Sequence, residues 1–204
     1  MHPRGYSDRI SHAFAFAAKH YAARARRGSG LTYLTHPANL AVILARYGCD
    51  EVTIQAAILH HLLEENGASD RDALEIKIGE KFGSVVLSLV KDVLEPRYDP
   101  RGAERPWDAY KLDYLARLGT VTHRALDICA ADEIHLCGSI IADVRRLGVE
   151  YLATFSKASP AQLLWWHQAV TDALATHTEW PRREMLEELR LLAAHLRTEL
   201  ETEA

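Results

Sequence analysis

The chain is organised around the stretch Ala56-Ala57-Ile58-Leu59-His60-His61-Leu62-Leu63-Glu64-Glu65-Asn66. It reads as the C-terminal half of a helix, with two adjacent histidines among apolar residues and two carboxylates one turn later. On an α-helix Glu64 stands four residues after His60 and three after His61, so it shares a face with both. Two readings are open at this point. One is a metal-binding histidine pair beside an acid/base carboxylate. The other is a helix that grows more polar as it runs out towards Gly67.

Outward from this stretch the periodicity is helical almost throughout, with no convincing period-2 alternation and no internal repeat. Ser7 or Asp8 can cap a first helix carrying Ile10, Phe14, Ala17, Ala18 and Tyr21. That helix closes in Arg24-Ala25-Arg26-Arg27, ahead of Gly28-Ser29-Gly30. Arginines there suit the helix dipole, and they equally suit a phosphate. Thr35-His36-Pro37 looks like a second helix start, with Thr35 as cap and Pro37 in the first turn. Gly48 breaks that helix, and Asp50 can cap the one carrying His60 and His61. Ser69 followed by Asp72 resembles a capping box. Val85, Val86, Leu89, Val90 and Val93 form the apolar face of the next helix.

Residues 95 to 106, with Pro96, Pro100, Gly102 and Pro106 among charges, are the clearest loop, and they suggest a flap. Helices follow from about Trp107 to Leu118, from about Thr120 to Cys137, and then to Arg146. Two more begin near Ser159-Pro160 and Pro181. The pattern predicts an all-α bundle of about nine or ten helices. Trp165 and Trp166 suit either the core, the commoner use, or a homodimer interface.

Composition bounds the function. With 204 residues, 48% hydrophobic and 25% charged, the chain can bury a real core. A formal charge of −4 argues against a dominant nucleic-acid surface. Three cysteines, Cys49, Cys129 and Cys137, cannot all pair and form no C-x-x-C clip, which fits a reducing compartment. No apolar run is long enough to span a bilayer and no signal-peptide core is visible. The expectation is a cytoplasmic protein.

Four groups can be proposed to converge: His36, His60, His61 and Asp132. Imidazole nitrogens and a carboxylate are suitable ligands for a divalent transition metal, which activates water for attack on phosphorus. Glu64 and Glu65 would orient or deprotonate that water. Each also has a plainer use. His36 fits a helix start, His60 a satisfied core histidine, and Asp132 an exposed helix residue flanked by Asp127 and Glu133.

As an ordered set, these residues resemble the HD-domain phosphohydrolases, and more closely the small single-domain relatives of the RelA/SpoT hydrolases, which remove the 3′-pyrophosphate of guanosine tetraphosphate. Arg27-Gly28-Ser29-Gly30-Leu31-Thr32-Tyr33-Leu34-Thr35-His36 is similar to R-K-G-x-G-x-P-Y-x-x-H. Ala56 to Glu65 is similar to A-A-L-L-H-D-x-x-E-D. Phe82-Gly83 with Val86 and Leu89-Val90 resembles F-G-x-x-V-x-x-L-V, and Ala130-Ala131-Asp132-Glu133-Ile134-His135 resembles A-A-D-K-L-H. Phe155 and Leu164-Trp165-Trp166 resemble the C-terminal region of the small relatives.

The resemblance implies one compact HD-type helical domain over residues 1–204, with helices from about 159 to 202 packed on the core as an extension. It implies metal ligation by His36, His60, His61 and Asp132, catalytic roles for Glu64 and Glu65, and nucleotide contact by Arg27. Lys111 is a weaker candidate for phosphate contact. The implied activity is metal-dependent hydrolysis of a nucleotide phosphate or pyrophosphate, on a small-molecule nucleotide and not on an extended nucleic acid or membrane. The alternative is a catalytically silent HD-fold protein that binds a nucleotide or a protein partner.

The departures bear on both. His61 stands where the family has aspartate, so the site loses a negative charge and shifts from manganese towards zinc, nickel or iron. Glu133 replaces a lysine, Leu136 a nucleotide-contacting asparagine, Thr32 a proline and Gly28 a lysine.

Overall fold

The computed structural model describes residues 5–26, 29–64, 68–99 and 101–202. Among these residues it contains ten helices, with isolated bridges at Ala25–Thr32 and Tyr98–Glu104 in place of any strand. They are α1 (Asp8–Tyr21), α2 (Thr35–Arg46), α3 (Glu51–Glu64), α4 (Ala68–Phe82), α5 (Ser84–Asp92), α6 (Trp107–Leu118), α7 (His123–Leu147), α8 (Tyr151–Phe155), α9 (Pro160–Ala175) and α10 (Arg183–Thr202). The all-α expectation holds. No described helix is long and apolar enough to cross a membrane.

α3 is the helix at the centre. From Thr53 to His60 every side chain is buried, and α1, α2, α5 and α7 pack around it. A helix apolar on all sides must sit inside the protein. Each fully buried Leu or Ile contributes roughly 1.5–3 kcal/mol from removal of apolar area. Asp50 starts the helix: its Oδ1 accepts the Thr53 N–H at 2.9 Å and the Thr53 hydroxyl at 2.8 Å. Gly48 supplies the turn before it, at φ +68, a backbone region that favours glycine.

α7 runs 25 residues without interruption, about 37 Å at 1.5 Å per residue. The sequence pattern divides it near Cys137, and the structure does not. Gly138 costs a helix only about 1 kcal/mol, and both flanks are anchored. Ala125 to Ile134 sit in the main core with α3. Cys137, Ile140, Ile141 and Val144 form a second cluster with Tyr151, Leu152, Leu163, Leu196 and Leu200. α7 therefore carries the C-terminal helices on the same rod that carries Asp132.

Several local expectations need correction. Ser7 caps α1 through the Ile10 N–H, but the helix stops at Tyr21, before the arginines. Thr35 is the first helical residue, not the cap, and its hydroxyl donates back to the Thr32 carbonyl at 2.8 Å. Ser69 lies inside α4. Val85 is 58% exposed, while Val86, Leu89 and Val90 face the core. Trp166 is buried, whereas Trp165 is 41% exposed. Asp127 is buried and bonded to the Trp180 indole at 2.8 Å and to Arg182 at 3.0 Å. Arg182 also donates to the Tyr47 and Gly48 carbonyls, which ties the turn before α3 to the start of α10.

Candidate metal centre

Three packed helices bring the centre together. α2 supplies His36 from its first turn, α3 supplies His61 from its last, and α7 supplies Asp132. His36 Nε2 lies 2.7 Å from His61 Nε2 and 3.0 Å from Asp132 Oδ1. His61 Nε2 and Asp132 Oδ1 are 3.6 Å apart.

The hydrogen-bond partners determine what these three atoms present. His61 Nδ1 is 2.7 Å from Glu64 Oε2. An ionised carboxylate only accepts, so Nδ1 carries the proton and a neutral His61 turns its Nε2 lone pair inward. The other Glu64 oxygen accepts the Glu95 backbone N–H at 2.9 Å. His36 Nδ1 is 2.7 Å from His135 Nδ1. With the proton on His36, its Nε2 lone pair also points inward. Three lone-pair atoms so close repel unless they share a cation, either a proton or a metal ion. Donors held about 2.0–2.2 Å from a zinc-sized ion lie about 3.3 Å from one another, and the distances here run from 2.7 to 3.6 Å around that value. The donor set of two imidazoles and a carboxylate fits such an ion.

The charges agree. Burial works against a charged His61, but Glu64 and Asp132 outweigh it and lift its pKa well above the usual histidine value. Burial pushes His36 down to about 3 in spite of Asp132. Burial alone would raise Glu64 and Asp132. His61 instead draws Glu64 down to about 2, and the bonds from His36 and His61 hold Asp132 well below the carboxylate range.

His60 stands apart from the other expected ligands. It is 2% exposed, and its Nδ1 donates to the Ala57 carbonyl at 2.9 Å, leaving a lone pair on Nε2. It groups with His61 and Glu64, not with His36 and Asp132. The expected four-ligand set is thus divided into two overlapping triads that share His61. His61 lines a cavity and His60 does not. Consecutive helical residues point about 100° apart, so the pair cannot share one direction. Arg27 and Glu65 lie outside the described residues.

The cavity is about 930 Å³ and has His36, His61, Glu64 and Asp132 in its wall. Arg24, Arg26, Arg97, Arg105, Lys111 and Lys157 also line it, with Tyr33, Tyr98, Trp107, Tyr110, Phe155 and Leu136 as its aromatic and apolar surfaces. Lys111, the weaker candidate for phosphate contact, lines the cavity, but it is engaged. Its ammonium pairs with Glu95 and sits 3.6 Å over the Trp166 ring. Burial opposes its charge, and Glu95 and Glu133 more than restore it.

The sequence does not single out His135, Glu95, Arg97, Arg105 or Lys157. Arg26 belongs to the basic segment that equally suits a phosphate, and His135 lies within a quoted motif without a role. His135 supports His36, and Arg26 approaches His135 Nε2 at 3.5 Å. The 95–106 loop is a built turn: the Asp99 N–H bonds the Ala103 carbonyl at 2.9 Å, and the Arg105 N–H bonds the Arg97 carbonyl at 2.8 Å. Gly102, at φ +80, makes its corner. Glu133 accepts the Trp166 indole N–H at 2.7 Å, and its other oxygen lies 2.7 Å from His167 Nδ1. That second contact lacks hydrogen-bond geometry.

Several known proteins are similar to this chain. A guanosine-3′,5′-bis(diphosphate) 3′-pyrophosphohydrolase of Aquifex aeolicus is 38% identical over 88 residues, 43% of this chain and 12% of the relative. The bifunctional (p)ppGpp synthase/hydrolase SpoT of Escherichia coli is 39% identical over 67 residues, 33% of this chain and 9% of that one. The match spans only about a tenth of the length of these relatives. Among solved structures, a metazoan ortholog of SpoT described as hydrolysing ppGpp superposes with TM-score 0.67 at 20% identity, covering 98% of both chains. The Listeria monocytogenes protein lmo0812 gives 0.63 at 21% identity, covering 79% of this chain and 99% of that one. These two show a shared fold. The HD domain family model matches residues 13–135, from within α1 to three residues past Asp132, and with that span the chain belongs to the HD domain family.

Proposed function

We propose that the protein is a metal-dependent phosphohydrolase acting on a nucleotide phosphate or pyrophosphate, with guanosine 3′-pyrophosphates as the favoured substrate class. One observation carries the reading: His36 Nε2, His61 Nε2 and Asp132 Oδ1 converge in the wall of a cavity that six basic side chains also line. The family and the names of its relatives support it.

His36, His61 and Asp132 would hold the ion, with His60 beside them as the fourth candidate. A bound divalent cation supplies Lewis acidity to a phosphoryl oxygen and makes water acidic enough to attack at neutral pH. Because His61 stands in place of a carboxylate, zinc, nickel or iron suits the site better than manganese. Glu64 uses one lone pair of each oxygen on His61 and Glu95 and keeps another. The lone pair that each oxygen keeps can accept a hydrogen bond from water. The role of Glu64 is to fix His61 and orient water by hydrogen bonding, and proton uptake falls to Glu64 or Glu65. Arg27 and Lys111 are assigned to phosphate, and Trp107, Tyr110 and Phe155 offer faces on which a base can stack.

We take the chain as a single domain of a cytoplasmic protein, consistent with three free cysteines. A silent nucleotide-binding role is the second reading. It is favoured by Leu136 in the cavity wall, where relatives have asparagine, and by Glu133, which is committed to Trp166. Metal analysis of protein purified without a nickel column, coupled to a nucleotide hydrolysis screen, separates the two. About one transition metal ion per chain together with turnover is the expected result. Metal without turnover on any phosphorylated nucleotide selects the silent binder, and absence of metal sinks the hydrolase.

A further inference from the structure

We propose that Arg97 and Lys157 form a second anion subsite in the cavity, for a phosphate group remote from the one at the metal centre, and that the Glu104 carboxylate occupies this subsite as a built-in competitor. The term remote phosphate rests on the nucleotide reading above. The subsite itself does not.

The two cations come from separate parts of the chain. Arg97 lies in the loop after α5, and Lys157 follows α8. Both line the cavity, and so does Glu104. One Glu104 oxygen lies 2.7 Å from Lys157 Nζ and the other 3.7 Å from Arg97 Nη2. One carboxylate thus spans two cations from distant segments, as two oxygens of a phosphate would.

Glu104 is placed there by backbone. The Tyr98–Glu104 bridge and the Arg105 N–H to Arg97 carbonyl bond hold it at the base of the 99–103 turn. Its grip is weak. Lys157 is 69% exposed, Glu104 is 37% exposed, and 3.7 Å is too long for a hydrogen bond. Exposed pairs of this kind contribute little, and a phosphate brings more charge and three acceptor oxygens. Arg97 is also undersatisfied, since its buried Nε finds no acceptor among the described residues. Other cavity cations have different anchors: Arg105 is tied to Asp113 and the Pro96 carbonyl, and Arg26 to Ser139. The consequence is selectivity. A ligand phosphorylated at two ends can displace Glu104, whereas one phosphorylated at a single end leaves it seated.

Calorimetric titration of the purified protein with inorganic pyrophosphate at low salt tests this. Any pyrophosphate at the metal centre contributes equally to each variant. Glu104→Gln should bind about fivefold tighter than wild type, and adding Lys157→Ala should remove the gain. Equal affinity of wild type and Glu104→Gln, or a gain that survives Lys157→Ala, overturns the proposal. In the hydrolysis assay Glu104→Gln should lower KM, with kcat kept, for a nucleotide phosphorylated at both ends only. An equal fall for a nucleotide phosphorylated at one end also overturns it. If no variant hydrolyses any nucleotide, the hydrolase reading fails, and the pyrophosphate titration still decides the subsite.

Discussion

His135 Nδ1 lies 2.7 Å from His36 Nδ1, ring nitrogen to ring nitrogen, and this contact determines which way the His36 lone pair points. His36 can serve an ion through Nε2 only if its Nδ1 donates, so His135 must accept. Burial first, and then the Arg26 charge, holds the His135 pKa down to about 4, so the ring is neutral and can accept. Removal of such an outer partner typically weakens metal affinity 10–100-fold. His135→Phe should lower transition-metal affinity by roughly that factor, while His135→Gln, which keeps an acceptor, should recover much of it. Competition against a chelator reads both, and unchanged affinity in His135→Phe would rule out the support role.

Asp50 gives a prediction about pH and stability. Burial opposes its charge, but the two Thr53 bonds and Arg124 hold its pKa below the ordinary 3.8. A depressed pKa means the carboxylate stabilises the fold above the unfolded-state value, and that this stability is lost as pH falls through the folded-state value. Asp50→Ala should cost about 1 kcal/mol at neutral pH, the usual worth of an N-cap. Most of this comes from the cap, because the Arg124 pair is half exposed and screened by solvent. Urea melts should show the difference from wild type shrinking below about pH 4. A pH-independent difference would mean the charged form is not what caps α3.

Restoring the family lysine at position 133 should damage this protein. Glu133 is 4% exposed, accepts the Trp166 indole N–H and faces His167. Lysine there would leave that N–H without its acceptor and would add a cation beside Lys111, whose charge Glu133 supports. Losing one side of a buried charged cluster costs about 3–5 kcal/mol. Glu133→Lys should therefore lower Tm by many degrees, and Glu133→Gln by much less. Equal melting of Glu133→Lys and wild type would show that α9 and Glu133 are not matched.

The sequence is most readable where burial and spacing act locally. The α3 stretch stands out because a helix apolar on all sides has one place to go, and Ser7, Asp50 and Ser159 each cap the helix that follows. Convergence of His36, His61 and Asp132 is not a local property. Three helices carry them, and only the resemblance, not the spacing, places them together. The 100° step between His60 and His61 is helix geometry, but which of the two faces the cavity depends on how α3 is seated. The sequence pattern splits α7 at Cys137 because a lone glycine looks like a stop until the clusters on both sides are known. Arg97, Glu104 and Lys157 give no signal, since two loops distant in the chain meet only in the finished fold.

His61 is where this chain departs most from the family pattern, and substituting it separates metal chemistry from substrate recognition. A protonated imidazole has no lone pair to donate, so metal binding through His61 must weaken as pH falls. Each imidazole in the ligand set adds one competing proton. His61→Asp replaces one of them with a harder, anionic donor. It should flatten the pH dependence of metal affinity between about pH 6 and 8 and move preference from zinc or nickel towards manganese. The substitution also removes the Nδ1–H that Glu64 Oε2 accepts, which frees Glu64 to take a proton from water. Pyrophosphohydrolase activity should therefore rise. Metal titrations across that pH range and a turnover assay on the same preparation distinguish the outcomes. Stronger manganese binding without turnover locates the block in recognition, at Leu136 or Glu133. No change in metal preference or pH dependence would show that His61 is not a ligand, and the silent nucleotide binder would then be the better account of the protein.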